Sequence, residues 1–159
     1  LIIFLKFLEK FSKNKNVNIQ FNIITNSNKI PKSEIIKINK YDWLSENNLS
    51  EILLESDFSY LPYPFAQNMS ETVKIAFPSK AALYLSHDLP VIFHGPSQSS
   101  FTRFNKKYNV GICIHNNLYA EQMFNDFFEN RSIYLKNCLK AHKVEFSKKS
   151  FSSKISKLI

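Results

Sequence analysis

The sequence predicts a doubly wound α/β domain, with a largely parallel sheet covered by helices on both faces. Two observations lead there. Segments of strand character alternate with segments of helical periodicity along the 159 residues, the pattern that builds parallel sheets. The connections between them are long enough for right-handed crossovers. Neither a repeat nor a low-complexity linker interrupts the order, so one domain over residues 1–159 is expected.

Each element has its own justification. Leu1, Phe4, Leu5, Leu8 and Phe11 share one helical face, and the run Lys13 to Asn16 ends that helix. Val17, Ile19, Phe21 and Ile23 then alternate, as a strand with one buried face should. Pro31 and its polar neighbours precede a shorter strand at Ile35, Ile36 and Ile38, which runs out into "NKYDW". Leu49, Ile52 and Leu53 stripe a short helix, with Ser45 or Asn48 as its cap. "FSYLPY" is a third strand, ended by Pro62 and Pro64, and "PFAQNMSETVKIA" reads as a long polar connection. A helix from about Ser79 turns Ala82 and Leu85 inward and leads to the apolar strand "LPVIF". Another short helix opens at Ser99 or Ser100, and "VGICI" is the last strand. Leu118, Met123, Phe124, Phe127 and Phe128 lie near one face of the next helix, an aromatic stripe that reads as core. Further helical segments at roughly 130–143 and 149–158 finish the chain, so helices close it from about 118 to 159. The opening "LIIFLKFLEKF" already reads as mid-protein helix, so the domain is expected to be truncated at its amino end.

Composition narrows the class. With 44% hydrophobic residues the chain is globular. The opening apolar stretch is short and carries Lys6, Glu9 and Lys10, which suits neither a signal peptide nor a membrane span. The formal charge of +8 is spread among asparagine, isoleucine and phenylalanine with no concentrated basic helix, so no nucleic-acid partner is expected. Peripheral contact with an anionic membrane surface remains as an expectation from that charge. Cys113 and Cys138 are isolated, without zinc spacing or a disulfide framework, so no metal is expected and a cytoplasmic location fits.

Ligands of open parallel sheets sit beyond the carboxyl ends of the strands. Three loops there carry distinctive chemistry. "NKYDW" brings Lys40, Tyr41 and Trp43. The approach "FPSK" brings Ser79 and Lys80 to a helix start, where unpaired N–H groups and the helix dipole favour an anion. The turn "HGPSQSS" brings Gly95, Pro96, Ser97, Ser99 and Ser100. Gly95 is one of only two glycines, which suits positive φ or a close approach of backbone to a ligand, whereas Gly111 reads as structural. His87 and His94 have no serine or carboxylate spaced for a triad and read as structural or exposed, with His94 the nearer to the pocket.

The segment "FPSKAALYLSHDLPVIFHGPSQSS", after "LLESDFSYLPYPF" and before "KKYNVGICI", resembles the carboxyl-terminal domain of GT-B-fold glycosyltransferases of the family 4 (group 1) type. Ser79, Lys80, Tyr84, Leu85, Leu89, Pro90, Val91 and Ile92 match that family's pattern in register. Asp57 with Pro62 matches the preceding strand, Gly111 the later one, and "VEFSKKSF" a late segment, so the likeness covers nearly the whole chain. The resemblance implies a Rossmann-like domain that binds a nucleotide-diphosphate sugar, for transfer to a glycan or lipid-linked acceptor in polysaccharide assembly. Ser79 and Lys80 would face the diphosphate, the Gly95–Ser100 turn would border phosphates or sugar, and Lys40, Tyr41, Trp43 and Leu83 would line the base and ribose. No cofactor beyond the donor substrate follows from it.

Two departures accompany the likeness. The family's two donor-binding glutamates fall on Ile75 and Leu83, and its glycine before Leu-Pro-Val is Asp88. Apolar side chains accept no hydrogen bond from a hydroxyl. A non-catalytic, glycosyltransferase-like interaction domain is therefore the alternative. The family's glycine-rich phosphate loop and its acceptor domain lie upstream of the stretch that matches here, so no catalytic residue is assigned and this fragment alone is expected to be inactive.

Overall fold

A computed structural model describes residues 1–65, 70–116 and 120–147. The chain divides into two compact units, Leu1–Glu51 and Ile52–Ile159. Among the described residues the strands are all parallel and hydrogen-bond in two sheets. The mixed α/β architecture of the sequence reading is present.

In the first unit, helix α1 spans Ile2–Lys15 and buries Phe4, Leu5, Leu8 and Phe11, while Leu1 is exposed at the helix cap. Asn16 ends α1 in the left-handed conformation with φ 51°, and the Val17 amide donates to the Ser12 carbonyl at 3.1 Å. That closure is a Schellman-type stop. It uses Val17, so β1 begins only at Gln20 and runs Gln20–Ile24, with Phe21 and Ile23 on the more buried face. Strand β2, Lys37–Tyr41, pairs parallel with β1 from Gln20↔Lys37 to Ile24↔Tyr41. It starts later than the isoleucines suggest because the Ser33 hydroxyl accepts from the amides of Ile35 and Ile36, at 3.2 and 2.9 Å. A local turn thus takes the donors a ladder would need. Helix α2, Glu46–Leu54, is capped by Ser45, whose hydroxyl accepts from the Asn48 amide at 3.3 Å.

The second unit is a three-stranded sheet in the order β3–β4–β5, with β3 Ser59–Pro62, β4 Val91–His94 and β5 Gly111–Ile114. Between β3 and β4 lie α3, Ser70–Ile75, and α4, Ser79–Ser86. Helix α5, Ser100–Tyr108, joins β4 to β5, and α6, Ala120–Glu129, and α7, Arg131–Glu145, follow. Leu61, Val91 and Phe93 share one face of the sheet. There they pack with Ala81 and Leu85 of α4, Phe101 of α5, and Cys138 and Ala141 of α7. On the other face Phe58 meets Phe124 and Phe127 of α6 edge-on, at 5.7 and 6.1 Å between centroids. Helices on both faces are what a parallel sheet requires.

Several details differ from the periodicity reading. Helix α3 occupies part of the expected polar connection; it is less than two turns, too short for a stripe, and Val73 is deeply buried in it. Ala81, not Ala82, is the fully buried partner of Leu85, because residues i and i+4 stack on one helix face. Phe128 is exposed, since Phe124 and Phe127 already fill the core-facing stripe of α6. Leu118, the expected helix at 149–158 and the end of "VEFSKKSF" lie outside the described residues.

Asp88 carries the departure from the family pattern into the backbone. It sits in the left-handed region with φ 53°, and the amides of Asp88 and Leu89 donate to the carbonyls of Leu85 and Tyr84, closing α4. Glycine takes this conformation without steric cost, whereas a Cβ resists it. Asp88→Gly should stabilise the protein by about 0.5 kcal/mol and Asp88→Ala destabilise it by about 1 kcal/mol. Thermal melts followed by circular dichroism check the signs; an Ala variant that melts above the Gly variant would contradict a backbone cause.

Candidate functional site

The carboxyl edge of the three-stranded sheet collects the chemistry of the second unit. The register sets Pro62 beside His94 and His94 beside Ile114, so the chain leaves all three strands at one edge. Helix α4 precedes β4 in a parallel crossover, which brings its amino end to that same edge. The Ser100 hydroxyl donates to the Ala76 carbonyl at 2.6 Å, tying the start of α5 to the segment that leads into α4. Arg103 braces the same junction, donating through Nη1 to the Gln98 carbonyl at 2.9 Å and through Nη2 to the Lys74 carbonyl. The rings of Phe77 and Phe104, 5.0 Å apart, pack beneath it.

The two helix starts differ in what they leave open. Helix α4 begins after a buried Pro78 in extended conformation and has no side-chain cap. Ser79 and Lys80 are both exposed there, and Lys80 has no ion-pair partner among the described residues. Helix α5 is capped: the Ser99 hydroxyl accepts from the Thr102 amide at 3.0 Å and pairs with the Thr102 hydroxyl at 2.9 Å. Ser99 is only 1% exposed. Its hydroxyl holds the helix, and the amides of the turn are set by that geometry. Pro96 is half-buried, its carbonyl accepting from the Ser99 amide at 3.2 Å, and Ser97 is exposed at the tip.

Gly95 owes its identity to packing. Its φ is not positive, but a Cβ there would lie 2.7 Å from both the Phe93 ring and the Tyr63 Cβ. Positive φ is therefore not what selects glycine here; the close approach seen is to the protein's own side chains.

The remaining predicted residues fall on other elements. Lys40 and Tyr41 are the last two residues of β2 in the first unit, where Lys40 pairs with Asp42 at 2.9 Å and the Tyr41 carbonyl accepts from Thr25. Trp43 is 84% exposed. Leu83 is half-buried on α4, and its carbonyl accepts from the Ser86 hydroxyl at 2.7 Å. Ile75 ends α3 at 79% exposure, and Glu71 of the same helix is paired with Lys74 at 2.7 Å. His87 bonds through Nδ1 to its own helix, 3.0 Å from the Leu83 carbonyl.

Arg103 and His115 belong to this edge and were not singled out in the sequence. The His115 Nδ1 donates to the Gly95 carbonyl at 2.8 Å. Burial pushes the thiol of Cys113 up to about 11 and that of Cys138 up to about 12, so neither is a ready nucleophile. Among the described residues no group of His, Cys, Asp and Glu is placed to hold a metal ion, and no helix is long and apolar enough to cross a membrane.

Parallel strands joined through helices place this chain among the α/β proteins. Within that class it belongs to the glucosyltransferase 3-like C-terminal domain family, whose model matches residues 3–157. It is therefore a glycosyltransferase-type domain. No curated protein and no solved structure matches it.

Proposed function

We propose that the carboxyl edge of the second unit binds the diphosphate of a nucleotide-diphosphate sugar, making the chain the donor-binding, carboxyl-terminal half of a GT-B, family 4 type glycosyltransferase. The observation that carries this reading is the start of α4, where the first amides have no side-chain cap and Ser79 and Lys80 are exposed beside them. A lysine in a first turn opposes the helix dipole, and an anion bound there turns that conflict into attraction.

The chemistry asked of such a site is modest. Transfer of the sugar leaves a nucleotide diphosphate, and the developing charge is stabilised by Lys80, the Ser79 and Lys80 amides, and the end of the turn with exposed Ser97 and half-buried Ser100. Ser99 holds those amides in place as the cap of α5. Gly95 and Pro96 keep the turn short against Tyr63 and Phe93. On this reading Leu83 of α4 lines the base and ribose, and the acceptor glycan or lipid-linked glycan belongs to a separate amino-terminal domain. No metal is required on this reading. A cytoplasmic location close to an anionic membrane follows from lipid-linked acceptors and the net charge of +8.

Calorimetric titration of the intact protein with UDP and GDP tests the site. One of the two should bind, and Lys80→Ala should weaken it by about tenfold or more, the usual worth of a charge-assisted contact. Unchanged affinity in the variant would remove the phosphate role.

One observation favours a second reading. Ile75 and Leu83 stand where the resemblance puts glutamates, and Glu71 is engaged by Lys74. A non-catalytic relative, kept as an interaction domain, would have such a site. It prevails if the intact protein binds no nucleotide sugar but still associates with a partner transferase.

A further inference from the structure

The carboxyl edge holds two imidazoles that phosphate binding does not use, one on each side of the Gly95 turn. His94 ends β4, and His115 follows Ile114, the residue paired with His94 at the end of β5. Their ring nitrogens are committed in opposite senses.

His94 Nδ1 lies 2.9 Å from the Tyr60 hydroxyl. A phenol O–H is a stronger donor than an imidazole N–H, and an imidazole nitrogen a stronger acceptor than a phenol oxygen, so Tyr60 donates and Nδ1 accepts. Burial lowers the His94 imidazole, favouring its neutral form. A neutral imidazole that accepts at Nδ1 carries its hydrogen on Nε2. His115 is the reverse case. The Gly95 carbonyl, 2.8 Å from its Nδ1, can only accept, so the hydrogen sits on Nδ1 and the neutral ring keeps a lone pair on Nε2. Neither Nε2 has a partner among the described residues.

Sugar hydroxyls need both kinds of group, because each can donate once and accept as well. We propose that His94 and His115 hold the sugar of the bound donor, His94 Nε2–H donating to one hydroxyl and His115 Nε2 accepting from another. This rests on the nucleotide-sugar reading above. It assigns the pair a specificity role, since a sugar whose hydroxyls point otherwise would leave both nitrogens unpaired.

His94→Asn and His115→Asn isolate the role. Asparagine puts an amide where Nδ1 stands, an oxygen for Tyr60 in the first and a nitrogen for Gly95 in the second, so each internal bond survives and only Nε2 is lost. The intact protein and both variants are titrated with UDP and with UDP-glucose, or with GDP and GDP-glucose where GDP is the nucleotide that binds. UDP affinity should stay within about twofold of wild type, and UDP-glucose affinity should fall by about fivefold to tenfold in each variant, the worth of one hydrogen bond. If wild type binds both ligands and the variants bind UDP-glucose equally well, the pair has no part in holding the sugar. Equal losses for UDP and UDP-glucose would make the histidines structural and overturn the inference in another way. If wild type binds neither ligand of the UDP pair nor of the GDP pair, the underlying donor-binding reading fails and the inference fails with it.

Discussion

Gly111→Ala should cost about 4 kcal/mol or more, enough to leave the protein largely unfolded at physiological temperature. The added Cβ would stand 1.9 Å from the Val91 carbonyl oxygen and within 2.8 Å of the Val91 carbonyl carbon and amide nitrogen. Every one of those atoms is backbone, so no side-chain rotation relieves the clash. Val91 and Gly111 form the first rung between β4 and β5, and the Val91 amide donates to the Val110 carbonyl at 3.1 Å just before it. Separating the strands there would break the ladder and open the core around Val91, Phe93 and Val110, all fully buried. Urea denaturation followed by far-ultraviolet circular dichroism is the suitable measurement. Fluorescence is not, because Trp43 lies 84% exposed in the other unit. An Ala variant with a wild-type midpoint would mean that the strands approach less closely than described.

Phe101→Ala should cost about 4 kcal/mol, the range for deleting a buried aromatic ring. Phe101 is 0% exposed and stacks on Phe93 of β4 at 5.1 Å between centroids, with Phe77 and Phe104 each at 6.1 Å. As the second residue of α5, it anchors to the sheet the helix start whose cap shapes the candidate site. Phe101→Leu keeps most of the volume and should cost less than about 1.5 kcal/mol. The urea midpoint should fall in that order while its slope stays constant. Equal losses for the two variants would show that ring volume is not what holds α5 down.

The helices that can be read from their own periodicity are those long enough to show it. Helix α1 has four core residues at helical spacing, and α7 lies within a few residues of its expected bounds. Helix α3 has six residues, fewer than two turns, and its amphipathic signal is below what spacing can reveal. Strand β2 shows a different limit. Ile35 and Ile36 have strand character, yet the Ser33 hydroxyl takes their amides, and that hydroxyl itself donates to Glu9 at 2.6 Å, 24 positions away in the chain. The candidate site divides similarly. Lys80 and Ser79 at a helix start are legible, because Pro78 marks the boundary beside them. Arg103 is not, since its value lies in the Lys74 and Gln98 carbonyls it reaches.

From the sequence alone came the α/β class, the parallel strands, the order of most elements, and the presence of a lysine, serines and a glycine on loops after strands. Neighbouring residues encode these things through helix and strand periods and through proline and glycine. Tertiary structure decided which groups are already engaged: Ser99 as a cap, Ser100 on Ala76, and Gly95 made necessary by Phe93 and Tyr63. It also set opposite hydrogen-bonding senses on His94 and His115. Those senses come from Tyr60, 34 positions before His94, and from Gly95, 20 before His115. No local period carries information over such separations; only the pairing of β3, β4 and β5 brings these atoms within hydrogen-bond reach.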